Sequence, residues 1–254
     1  MIPGLSGYIP VRNGNSLDYC WQLGVSSLLP VCDEVIISDA GSTDGTKEEA
    51  LAWAGREKKI RVVDYQWQNP VGDPRMLPTW LNDIRRNHCR FDTQITLDAD
   101  EVLCPKSYPE VKRGSQQYKC FVFRRLNFWR DAHHMVPPGK VCGDFVVRQG
   151  PTELEMVSDG FYDADLPIKV RAIHHPSLRI FHLGFLRKEA AFFAKSKVMH
   201  RALHNTYDER LARAEAEKRP WVIENTDWPE PLIYYSGDYP PGVAEWLVER
   251  GHKV

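Results

Sequence analysis

The sequence predicts an α/β protein, a mixed sheet flanked by helices and followed by a long C-terminal helix and an irregular tail. Three observations carry this expectation. The first hundred residues alternate short apolar runs with segments of helical period, the rhythm of parallel strands joined by helical crossovers. Beyond Leu103 strand-like runs follow one another across Pro- and Gly-containing connections, the pattern of antiparallel or mixed pairing. The chain's 254 residues, 43% of them hydrophobic and 26% charged, suffice for one substantial core and exclude disordered, collagen-like and fibrous classes.

Taken in order, Tyr8–Arg12 reads as a first strand. Leu17, Trp21, Val25 and Leu28 share one face of a helix that ends before Pro30. DEVIISDA supplies a second strand. Thr46 and Glu49 have the spacing of a T-x-x-E capping box, which predicts a helix from there to Gly55. RVVDYQW is a third strand. Leu77, Trp80, Leu81 and Ile84 predict a helix between Pro74 and Cys89, with Pro78 tolerable only in its first turn. TQITLDADE is the fourth strand. After it YKCFVFRRLNFWR, CGDFVVR, IKVRAIHH and LRIFHLGF are strand-like. A long helix follows from Arg187 to Lys218, with Phe192, Met199, Leu203, Tyr207 and Leu211 on one stripe. The tail is rich in Trp, Tyr and Pro and finishes in a short helix from about Val243 to Arg250. The whole chain, 1–254, reads as a single domain in which 1–103 and 104–254 form two halves.

A net charge of −1 gives no global pull toward nucleic acid or acidic membranes. No stretch approaches the roughly 18 to 20 apolar residues that span a bilayer, and MIPGLSGYIPVRNG has no basic leader, long apolar run or cleavage site, so a cytoplasmic location is expected. Six cysteines without a CxxC pair read as reduced and packed.

The residues with chemical content cluster at strand ends. Asp98 and Asp100 stand where the apolar run ITL ends; two apart on a strand, they point the same way and suit a hard divalent cation that also takes phosphate oxygens. The alternative is a set of acids capping a solvated turn. Asp39-Ala40-Gly41-Ser42-Thr43-Asp44-Gly45-Thr46 leaves the second strand as a tight turn whose backbone can approach a ligand closely. It lacks the G-x-G-x-x-G of a dinucleotide site. His133–His134 and His174–His175 are adjacent pairs, and neighbours on a strand face opposite ways, so spacing gives neither a metal site. Lys195 and Lys197 read as solvated helix residues. Phe121, Phe123, Phe128 and Trp129 read as core, with Trp129 beside Arg130 and Asp131 the exception worth testing.

Together and in this order, Arg12-Asn13 after the first strand, SSLLPVCDEVIISDAGSTDGT and LDADEVL resemble the family-2-type glycosyltransferases of GT-A fold over about residues 6 to 103. The resemblance implies a nucleotide-sugar across the carboxyl edge of the sheet, with Pro10 and Arg12 lining the nucleotide site, Asp39 on the base, Asp98 near ribose and metal, and Asp100 on the metal. Arg75, after the Asn69–Asp73 loop, stands where relatives place a residue that reaches the nucleotide. RIFHLGFLRK is similar to a strand ending in H-x-G followed by a basic residue, which implies His182 as a third metal ligand and Arg187 or Lys188 facing the diphosphate. A packed strand-end histidine is the alternative for His182.

The implied activity is transfer of a sugar, with Mn2+ or Mg2+, from a nucleoside diphosphate sugar, a UDP-sugar favoured, to an acceptor hydroxyl on a saccharide, small molecule, protein or modified nucleic-acid base. The family's base lies in an E-D pair after the D-x-D, and no such pair occurs between Glu101 and the long helix. Asp144, which interrupts an apolar strand, is the candidate base among the acids there. A nucleotidyltransferase would also place acids at such an edge, but the first loop is not glycine-rich and basic. A non-catalytic nucleotide- or sugar-binding module is the reading from another class.

Overall fold

The structure is a computed structural model that describes residues 2–67, 73, 75–117, 120–129, 131–138, 145–151, 156, 172–199 and 231–254. Its strands are β1 (Ile2–Val11), β2 (Glu34–Asp39), β3 (Ile60–Asp64), β4 (Phe91–Thr96), β5 (Glu101–Leu103), β6 (Cys120–Asn127), β7 (His134–Met135), β8 (Phe145–Pro151), β9 (Ala172–His182) and β10 (Ile233–Tyr234). The helices are α1 (Trp21–Leu28), α2 (Thr46–Ala54), α3 (Met76–Asp83), α4 (Tyr108–Gln117), α5 (Glu189–Met199) and α6 (Val243–Val248). Eight strands form one sheet in the order β3-β2-β1-β4-β8-β6-β9-β5, and β7 pairs with β10 as a separate ribbon. The strands β1 to β4 are mutually parallel; β8 runs antiparallel to β4 and β6, β9 runs parallel to β6, and β5 runs antiparallel to β9. The mixed α/β sheet is the expected class.

All six residues of β2 are buried, as a parallel strand covered on both faces requires. On α1, Trp21, Val25 and Leu28 are buried as the periodicity predicts, whereas Leu17 lies in the turn before it. Gly24 lets α1 approach β5, since a Cβ there would meet the Glu101 carbonyl oxygen at 2.8 Å. Phe121, Phe123, Phe128 and Trp129 are all buried, as core residues. A second cluster joins Val102, Leu126, Phe128, Phe181 and Leu186 to Val243 and Leu247 of α6. The tail is also tied by charge: Arg250 Nη2 donates to Asp18 Oδ1 at 2.6 Å.

Several local expectations change. β1 begins at Ile2 rather than Tyr8, with a register shift between Ile2 and Leu5 that accommodates Gly4. The capping box does not form: Gly45 is the cap residue, and the Asp44 carboxylate accepts from both the amide and the hydroxyl of Thr46, at 3.1 and 2.6 Å. Glu49 instead accepts from Asn15 Nδ2 and Gln22 Nε2. The helix after Pro74 is α3 followed by a π-helical turn over Ile84–His88. Residues 172–175 of IKVRAIHH and 178–182 of LRIFHLGF lie in one strand, β9, not two, because its register against β6 shifts between Val122 and Arg124 and the slack absorbs Pro176; residues 168–171 lie outside the described residues. α5 starts at Glu189; residues 200–230, which include Leu203, Tyr207 and Leu211, lie outside the described residues.

Candidate active site

The carboxyl ends of β1, β2, β4, β6 and β9 bring together most of the residues the sequence singles out. At the first two, the following loops are stitched to each other. Ser42 Oγ accepts the Asn13 amide at 2.8 Å, and Asn13 Oδ1 accepts the Thr43 amide at 2.9 Å. Asn13 takes a positive φ of 52° to make both contacts. Asp39 is 1% exposed, and its Oδ2 accepts the amides of Gly41 and Ser42, both at 3.0 Å. Its Oδ1 is buried without a hydrogen-bond partner among the described residues, and so is Arg12 Nε. The Arg12 guanidinium lies 5.0 Å from the Trp67 ring centroid. Pro10 is buried in β1, one strand over from Ser38.

Asp98 and Asp100 do not alternate along a strand. β4 ends at Thr96, and Asp98–Asp100 form a turn into β5, closed by the Glu101 amide on the Asp98 carbonyl at 3.0 Å. The turn sends the two carboxylates to different partners. Asp98 Oδ2 accepts from Arg148 Nη2 at 2.7 Å and Arg125 Nη2 at 3.1 Å. Glu101 shares both arginines, with Arg125 Nε at 2.7 Å from Oε1 and Arg148 Nη2 at 2.7 Å from Oε2. Arg148 reaches this cluster because β8 bulges there: Phe121 pairs with Gln149 but Val122 with Val147, which leaves Arg148 as the extra residue. Burial pushes the Asp98 carboxyl up, and the neighbouring Glu101 charge adds to that. Burial would raise Glu101 too, but Arg125 and Arg148 override it and hold Glu101 low.

Asp100 meets a different set. Its Oδ2 accepts from Arg187 Nη2 at 2.6 Å and Lys195 Nζ at 2.9 Å, and its Oδ1 lies 3.8 Å from His182 Nε2. Burial alone would raise this carboxyl; Lys195 and Arg187 hold it well below the usual range. His182 Nδ1 is 2.9 Å from Asn127 Oδ1. An amide oxygen only accepts, so Nδ1 carries the proton and Nε2 presents its lone pair toward Asp100. Burial lowers the His182 pKa to about 3, so the ring is neutral. Gly184 completes the geometry: a Cβ there would stand 2.7 Å from Asp100 Oδ2 and 2.7 Å from His182 Nε2, so glycine leaves this face of the pair open.

A carboxylate and a neutral imidazole nitrogen bordering a gap, with the imidazole's other nitrogen fixed by the Asn127 amide, is a donor set that fits a divalent ion. Among the described residues no three His, Cys, Asp or Glu side chains are placed to hold a metal. Such an ion would therefore take its remaining ligands from water or phosphate.

The other expected residues fall elsewhere. Arg187 is 6% exposed and turned inward: besides Asp100 it donates to the carbonyls of Gly184 and Leu17, at 2.7 and 2.9 Å, and covers the Tyr19 ring. Arg75 is exposed and pairs with Asp73 in its own loop. Asp144 lies outside the described residues. His134 pairs with Asp131, while His174 and His175 are exposed. The sequence reading missed Lys195, taken as solvated, and Asn127, Arg125 and Arg148. A signal existed for the two arginines: each interrupts an apolar strand, in FVFRRLNF and FVVR, where a charge needs a buried partner.

Four parallel strands in the order 3-2-1-4, continued by an antiparallel strand, make this an open α/β sheet of the class that binds ligands at the carboxyl edge. No protein-family model matches the chain, and no curated protein matches its sequence. Among solved structures it is similar to S. aureus TarS residues 1–349, with a TM-score of 0.47 and 12% identity over 88% of this chain and 73% of that one. It is also similar to the mannosyltransferase PcManGT from Pyrobaculum calidifontis in complex with GDP-Man and Mn2+, with a TM-score of 0.46 and 16% identity over 87% and 68%. A third is GalNAc-T7 with UDP, GalNAc and Mn2+, with a TM-score of 0.46 and 13% identity over 91% of this chain and 59% of that one. Likenesses of this size carry no inference about what the chain binds. Among the described residues no helix is long and apolar enough to cross a membrane.

Proposed function

We propose that the chain is a glycosyltransferase that moves a sugar from a nucleoside diphosphate sugar to an acceptor hydroxyl, with a divalent ion held by Asp100 and His182. The observation that carries this reading is the Asp100–His182 pair, its imidazole tautomer fixed by Asn127 and its open face guaranteed by Gly184. When bound, the ion would neutralise the diphosphate as its bond to the sugar breaks. The chain's own residues do the rest. The buried, unpartnered Asp39 Oδ1 is an acceptor suited to an N–H of the base, and Arg12 lies at the end of the neighbouring strand. Arg125 and Arg148 hold Asp98, the residue we propose for the ribose. The acceptor oxygen bonds to the anomeric carbon, the diphosphate leaves with the electron pair, and the hydroxyl proton goes to a carboxylate, for which Asp144 is the proposed residue.

The test is incubation of the purified protein with a panel of UDP- and GDP-sugars and Mn2+. Slow release of free sugar and nucleoside diphosphate, abolished by chelator and by Asp100→Asn, is the expected result. Undiminished release in chelator overturns the metal role; release of sugar 1-phosphate with nucleoside monophosphate points to nucleotidyl chemistry, and no turnover with any donor to a binding module.

A further inference from the structure

Two cations bracket one oxygen of Asp100, and they are not equivalent. Arg187 is locked, with Nε, Nη1 and Nη2 donating to Gly184 O, Leu17 O and Asp100 Oδ2 inside a buried pocket closed by Tyr19. Lys195 reaches the same oxygen from α5 on a flexible four-carbon stem, and its side chain is 27% exposed. Its ammonium passes 5.5 Å from the Tyr19 ring centroid. α5 itself is anchored by the buried Ala191, Phe192 and Phe193, so the side chain can swing without the helix moving. The contested oxygen is also the one that borders the gap at Gly184.

A carboxylate that is to receive a divalent ion cannot keep an ammonium on the same oxygen at no cost, because the two cations repel across a few ångströms of low-dielectric interior. An ammonium released from Asp100 is then a partly exposed positive point charge beside the ion, which suits a phosphate oxygen. We propose that Lys195 is an exchangeable counter-ion. It neutralises Asp100 in the ligand-free protein, yields that oxygen to the divalent ion, and transfers to the diphosphate that arrives with it. Lys195 thereby couples the two ligands: the ion binds weakly alone and more tightly with a nucleoside diphosphate, and linkage makes the effect reciprocal. The proposal rests on the reading that Asp100 and His182 hold the ion.

The experiment measures Mn2+ binding, from the electron paramagnetic resonance signal of the free ion, with and without UDP. It compares the wild type with Lys195→Met and Lys195→Gln, two neutral replacements of which either serves if the other fails to fold; thermal melts confirm the native state. With the competitor removed, the variants bind Mn2+ alone about fivefold or more tightly than wild type. UDP tightens Mn2+ binding in the wild type, and that gain falls by about fivefold or more in the variants. If the wild type binds Mn2+ and the variants match it or bind more weakly, with the UDP effect intact, Lys195 is a fixed structural partner and the exchange is wrong. If no protein binds Mn2+ with or without UDP, the metal reading itself fails and the exchange falls with it.

Discussion

Arg148→Met removes one of two guanidiniums from a cluster that contains the buried Glu101 carboxylate and the partly exposed Asp98. Arg148 has a fully buried side chain, and its Nη2 stands 2.7 Å from both Asp98 Oδ2 and Glu101 Oε2. Without it, Arg125 must serve both acids, and the negative charge of the pair around the fully buried Glu101 is only half compensated. Breaking a buried ion cluster in this way costs about 3–5 kcal/mol, a large part of the roughly 5–15 kcal/mol that keeps a domain folded. For a chain of this size that is a drop in melting temperature of roughly 6–20 °C. The loss carries a pH signature. Burial already raises the folded-state pKa of Asp98, and removing Arg148 raises it further. A carboxyl with a raised folded pKa binds more protons folded than unfolded, so its deficit shrinks as pH falls toward the unfolded value of about 3.9. Glu101 is shifted the other way, so its contribution is lost only at lower pH. The variant should therefore recover part of its deficit between about pH 7 and pH 5, while wild type gains less. Thermal melts across that range are the assay. A loss under about 1 kcal/mol with no relative recovery in acid would refute the shared-arginine cluster.

Three further outcomes follow from contacts already described. Asn127→Leu frees the His182 tautomer, and Mn2+ affinity should fall about 10- to 100-fold by calorimetry, against a small change in melting temperature; unchanged affinity removes the metal role of the imidazole. Gly184→Ala places a methyl group 2.7 Å from Asp100 Oδ2 and His182 Nε2, and should cost about 1–3 kcal/mol in urea unfolding and abolish Mn2+ binding; a stable, metal-binding variant would show that this face of the pair is not used. Arg250→Ala strips Asp18 of its guanidinium. Burial works to raise the Asp18 carboxyl, and Arg250 and the Lys188 amide outweigh it and hold it low. The stabilisation is present above about pH 4 and lost as pH falls through the folded pKa, so wild type and variant melts should converge in acid; parallel melts at all pH values would contradict the pairing.

The parallel half was legible because its strands are apolar runs and α1 repeats its apolar face, signals set by burial within a few residues. α4 was not, since YPEVKRGSQQ is polar and, among its described residues, turns only Val111, fully buried, and Tyr108 toward the core. The capping box failed because Asp44, two residues before the T-x-x-E pattern, is the better placed acceptor for Thr46. In the site, Asp39 and His182 stood out because each terminates a strand, and Asp100 because it belongs to the D-x-D after an apolar run. The strand-face argument for Asp98 and Asp100 was wrong in its geometry, because the chain turns after Thr96. Lys195 was illegible: its partner lies 95 residues away, and nothing within its helix distinguishes it from Lys197.

The distances in sequence across this site have a kinetic consequence. Arg187 meets Asp100 across 87 residues and Leu17 across 170, and His182 meets Asn127 across 55. Each contact requires a long loop to be closed before it gives any return, so none can help nucleate folding. The strands β1, β2 and β3, whose partners Ser6–Glu34 and Val35–Ile60 lie near in sequence, can pair first, and the ligand pair is assembled later. Mn2+ binding followed during refolding would thus lag the recovery of helical signal, and would serve as a clock for completion of the native state.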